Sequence, residues 1–140
     1  MTNIPEDLYG RVFDLATAIT SASEAEDFAE YEKSMGELRM LFEEQQSSGR
    51  PHPFLTETLA DYTDEPRRAI ELYRQALADS PAFPGEHTYT KHLSLAERLI
   101  ESGLKDEAKE HLEIGRKEAW SAGDSDWIKS ADELAQRLVA

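Results

Sequence analysis

The residues best suited by type to move a proton or bind a metal are four histidines, His52, His87, His92 and His111, and the sequence supplies none of them with a clear partner. Glu107 and His111 stand one helical turn apart, so both side chains could reach a single divalent ion. A second ligand pair is missing, and the spacing fits an ordinary helix-surface pair. The chain has no cysteine, which removes disulfides, zinc–thiolate centres and thiol nucleophiles together. Its serines lack a strand–turn–helix elbow, and no glycine-rich loop is present to cradle a phosphate. Carboxylates are abundant, but abundance on solvated helices does not make an acid/base dyad. The expectation is a protein with no catalytic residues, no metal site and no cofactor.

Carboxylates can also recognise cations. Glu57 and Asp61 recur as Glu97 and Glu101, each an i,i+4 like-charge pair that costs its helix roughly 0.2–0.5 kcal/mol. Repetition at the same phase suggests an acidic stripe aligned to pair with Lys or Arg of a partner; the alternative is a solvated face on an acidic protein. Glu24, Glu26, Asp27, Glu30, Glu32, Glu37, Glu43 and Glu44 extend the negative field, or serve as solubilising charge. Phe54, Phe83 and Tyr89 fall near helix starts or loops where a groove would open, at the edge of the core or against a ligand. Trp120 and Trp127 flank Gly123, a spacing that suggests packing between the helices on either side, with a binding hot spot as the alternative.

Composition narrows the partner. With 29 Asp and Glu against 15 Lys and Arg, the net charge is −14, which repels phosphate backbones and anionic lipid and attracts basic proteins or peptides. Arg67-Arg68 is the only pair of adjacent arginines. A length of 140 residues suits one domain, and 39% hydrophobic with 31% charged residues suggests thin layers with much exposed surface. The start, Met1-Thr2-Asn3-Ile4-Pro5-Glu6-Asp7, lacks the basic and apolar regions of a signal peptide, and no segment approaches the length of a membrane span. The expected location is the cytoplasm.

These residues must be positioned by helices, because no period-two alternation occurs anywhere. Pro5, Glu6 and Asp7 open a helix over about 5–20, with Leu8, Val12, Leu15, Ala16 and Ile19 at helical spacing. Ser23 and Glu26 form a capping-box pattern before a second helix over about 24–46, which ends at Ser47-Ser48-Gly49. Further helices are expected near 53–62, from Pro66 to about 80, and over 87–102, 105–121 and 125–139, with Pro81–Glu86 as a loop and Gly103 and Gly123 at exits. Leu55 and Leu59 recur as Leu95 and Leu99, in degenerate form as Leu15 and Ile19, and again as Leu134 and Leu138. A period of 39–40 residues is the mark of stacked helical hairpins.

Ala69-x3-Tyr73-x2-Ala76-x4-Pro81 resembles the second helix of a tetratricopeptide repeat (TPR), where small residues admit the paired helix, an aromatic fills the gap and proline ends the unit. His92-x2-Leu95-Ala96-x2-Leu99-x3-Gly103, followed by Ala108-x3-Leu112-x2-Gly115, resembles both helices of the next unit. The first hairpin keeps Ala29 and Gly36 at the corresponding small positions. The family unit is about 34 residues, so a HEAT-like or other degenerate helical repeat also stays open. The resemblance implies an all-α solenoid of three antiparallel hairpins (about 5–47, 53–80 and 87–121) and a capping helix (about 125–139), in one domain over 1–140. It further implies that first helices line a concave groove receiving a protein or peptide. The expected function is non-catalytic binding of a basic protein or peptide through Glu57, Asp61, Glu97, Glu101, Phe54 and Tyr89. Two alternatives remain: an immunity protein that neutralises a basic bacterial toxin, and a regulatory subunit of a larger helical assembly.

Overall fold

The computed structural model describes residues 5–140, so Met1–Ile4, which carry part of the reading against a signal peptide, lie outside the described residues. Among the described residues the chain is all-helical: α1 (Glu6–Glu24), α2 (Phe28–Ser48), α3 (Pro53–Asp61), α4 (Pro66–Asp79), a 3₁₀ turn at Ser80–Ala82, α5 (Tyr89–Glu101), α6 (Lys105–Ala122) and α7 (Ser125–Val139). No helix among them is long and apolar enough to cross a membrane. Consecutive helices pair as α1 with α2, α3 with α4 and α5 with α6, after which α4 packs on α5, and α7 packs on both α5 and α6.

The leucine repeat lies in the core. Leu55, Leu95 and Leu99 are fully buried, and Leu15, Ile19, Leu59 and Leu134 nearly so. One apolar cluster runs from Val12 and Ile19 through Leu38, Leu55 and Leu72 to Leu95 and Leu99. A second joins Leu93, Ala96 and Leu112 to Ala131 and Leu134. The inner helix α5 serves both, because Leu95 and Leu99 point to the first cluster while Leu93 and Ala96 point to the second. Burying each leucine contributes about 1.5–3 kcal/mol.

The expected break between the first two helices is displaced. Ser23 and Glu26 do not form a capping box; α1 continues to Glu24, and the Asp27 side chain caps α2 by accepting from Glu30 N at 3.2 Å. The cause is a Schellman closure, in which Asp27 N donates to Ala22 O and Glu26 N to Ser23 O. That closure places Glu26 at φ 55°, the left-handed region, where Gly103 and Gly123 stand at the ends of α5 and α6. A side chain at this φ costs about 1 kcal/mol. Glu26→Gly is therefore expected to stabilise the protein by about 0.5–1 kcal/mol, even after glycine's larger unfolded-state entropy is counted, and a urea titration checks it. Elsewhere the expected helix starts hold to within two residues: His52 and Glu65 cap α3 and α4, each followed by a proline in the first turn.

Candidate functional site

The four carboxylates of the expected stripe do recur at one phase on α3 and α5, but each has an internal partner. Glu57 Oε2 accepts from Thr90 Oγ1 at 2.7 Å and Oε1 accepts from Lys91 Nζ at 3.1 Å, which ties α3 to α5. Glu97 stands 3.0 Å from Arg137 of α7. Glu101 is exposed, 3.9 Å from Arg98, whose guanidinium also donates to Thr63 O. Phe54 is half-buried and stacks on Tyr9 with ring centroids 5.4 Å apart, while Tyr89 is buried with its hydroxyl donating to Asp124 at 2.8 Å. The stripe is thus largely engaged within the fold.

Asp61 differs from the other three. The Tyr73 hydroxyl donates to its Oδ1 at 2.5 Å, and solvent still reaches the residue, which ends α3. Crowding by protein desolvates the carboxylate and raises its pKa to about 7; the Tyr73 hydrogen bond opposes this, Glu57 adds to it, and Arg98 and Lys91 oppose it. A carboxyl group raised in the folded state from its ordinary 3.8 binds its proton more tightly there, so its favourable contribution is complete below about pH 3.8 and is lost as pH rises through 7. Asp61→Asn is expected to leave stability unchanged at pH 4 and to raise the melting temperature at pH 8, as thermal unfolding across that range would show.

A second place combines open space with charge. A cleft of about 360 Å³ opens between α2 and the α3–α4 turn, lined by Met35, Phe42, Leu59 and Leu72, with Tyr31 and Tyr62 half-buried at its sides. Its rim carries Glu32, Glu43, Asp64 and Glu65 against Arg39 and Arg68. Glu65 already accepts from Arg67 N and Arg68 N, and Arg68 lies 3.5 Å from Glu71. Burial and the nearby Asp64 and Glu32 carboxylates push the Tyr31 hydroxyl pKa up, which locates both acids around that ring. The Tyr62 hydroxyl donates to Ala16 O and meets Thr20 Oγ1 at 3.0 Å, so its ring is fixed by α1. An apolar floor beneath carboxylates suits a guest with an aliphatic stem and a cationic head.

In the sequence, Tyr31, Met35 and Phe42 fall at helical spacing and Glu32 and Glu43 belong to the acidic run, but nothing there joins them to Tyr62 and Asp64. The available signal is a tyrosine at each end of the cleft, a residue that presents an apolar body and a polar tip. Trp127 packs on the second core cluster as expected, but Trp120 does not: its side chain lies on the outer surface of α6, 65% exposed. Glu107 is held by Arg74 through both oxygens at 2.7 and 2.6 Å, and among the described residues no group of three or more potential ligands could hold a metal ion. Comparison with protein-family models, curated proteins and solved structures gives no match.

Proposed function

We propose that the chain is a non-catalytic protein-binding module, a TPR-like solenoid of three hairpins closed by α7, that takes up a basic segment of another protein. The sequential pairing of helices and the burial of the 39–40-residue leucine repeat, complete or nearly so at every member but Leu138, support the solenoid reading. The fully buried Ala69, Ala76 and Ala108 support the resemblance at its small positions. The observation that carries the function is the cleft between α2 and the α3–α4 turn, where Glu32 and Asp64 stand over an apolar floor on a molecule of charge −14. A lysine or arginine stem would cover Tyr31 and Tyr62 while its head meets the carboxylates. A stoichiometric antagonist of a basic toxin would use the same surface and field, and would differ in rescuing cells that express that toxin.

Labelled peptides of alternating Lys and Leu, compared with Glu and Leu peptides of equal length, test the proposal. The basic series is expected to bind, to weaken as salt is added, and to lose at least tenfold in affinity against Glu32→Lys/Asp64→Lys. Both positions are exposed, so stability should change by less than about 0.5 kcal/mol per site. Equal affinity of the double variant and the wild type would remove the cleft from the interface.

A further inference from the structure

His92 on α5 and His111 on α6 face each other across the seam between their helices. Their Nδ1 atoms are 2.9 Å apart and their rings stack at 29° with centroids 5.2 Å apart. Both residues are half-buried. At that separation one Nδ1 must carry a proton and the other a lone pair. Their surroundings are mixed in sign. Glu118 from α6 faces His92 but also accepts from Thr88 Oγ1, and Lys91 of α5, which ion-pairs with Glu57 and Glu86, adds positive charge. His111 faces Glu107 and Glu110 of its own helix and Arg74 of α4, and Arg74 already engages Glu107.

We infer that this pair is an acid-sensitive lock on the α5–α6 seam, accepting one proton and refusing a second. The neutral pair holds an N–H···N bond. Adding one proton keeps the bond, because the imidazolium still donates its Nδ1–H to the neutral partner. A second proton places N–H against N–H at 2.9 Å, removing the acceptor and opposing two positive charges. The rings must then separate, which pulls Leu93 and Leu112, neighbours of the two histidines in sequence and members of the second core cluster, out of register. Burial also lowers the proton affinity of both rings, in the same direction.

The sign follows. In the unfolded chain both rings take up protons near pH 6.5, whereas the folded pair takes up the second only well below, so stability is complete above 6.5 and falls as pH drops. In the full-length protein, urea titrations between pH 7 and 5 should show a folding constant that falls with acid. In His111→Gln, which retains a hydrogen-bonding group, the fall should be shallower by about tenfold per pH unit. Ring-proton NMR of the wild type should show His92 and His111 titrating in two separated steps, the second displaced to the acid side of the ordinary 6.5. Superimposable pH profiles for variant and wild type, or two rings titrating together as independent groups, would overturn the lock. Should the variant fail to fold, the wild-type NMR titration alone decides.

Discussion

Lys91→Ala is expected to destabilise the protein by about 3–5 kcal/mol, a large share of the roughly 5–15 kcal/mol that holds a domain folded. Lys91 is completely buried, and its three ammonium protons have three acceptors: Glu86 Oε1 at 2.8 Å, His87 O at 2.8 Å and Glu57 Oε1 at 3.1 Å. Two carboxylates share one cation here, so removing the ammonium leaves Glu57 and Glu86 poorly exposed and without a counter-charge. The penalty comes from those stranded acids more than from the lost attraction, since a buried pair gains little net energy over an apolar replacement. That distinction can be measured. Lys91→Met should be nearly as harmful as Lys91→Ala despite its similar stem, whereas Lys91→Met with Glu57→Gln should recover part of the loss. Chemical denaturation of the three variants would show the non-additivity, and equal losses for single and double variants would contradict this account.

The same cluster shows how far the sequence can be read. Leu55, Leu59, Leu95 and Leu99 were legible because burial imposes a helical period that recurs with the repeat, and the structure places all four in the core. Glu57 shares that period, so its phase could be found, but phase does not show whether a carboxylate meets solvent or a buried lysine. Lys91 carries no signal of its burial, because its partners Glu57 and Glu86 lie 34 and 5 residues away. The same limit hid the cleft, whose walls come from residues far apart in the chain, Tyr31 and Met35 with Tyr62 and Asp64. It also hid the His92–His111 contact across 19 residues. The break between α1 and α2 was missed for a different reason. Glu26 in the left-handed region overrides a capping-box pattern that is locally sound, because closure of α1 and entry into α2 are solved together.

Gly36 and Gly115 stand at corresponding small positions of the first and third hairpins, and alanine should have opposite effects at the two. In the middle of a helix, glycine to alanine ordinarily stabilises by about 0.8–1 kcal/mol. At Gly36 a β-carbon would meet nothing within 4 Å, so Gly36→Ala should gain close to that amount. At Gly115 a β-carbon would sit 2.7 Å from Leu93 Cγ, 2.9 Å from Leu93 Cδ2 and 3.1 Å from His92 Cβ. The colliding Cγ is a branch point within the second core cluster, so relief requires α5 and α6 to move apart. Overpacking of this kind costs about 1–3 kcal/mol, which outweighs the propensity gain, and Gly115→Val should cost more than alanine. Urea midpoints that rise for Gly36→Ala and fall for Gly115→Ala would place the closest helix approach in the third hairpin and leave the first hairpin without one. Because His92 shares that contact, Gly115→Ala should also separate the two imidazoles and flatten the acid dependence of stability. A destabilised Gly115→Ala protein with the wild-type pH profile would show that backbone spacing and the histidine pair are independent.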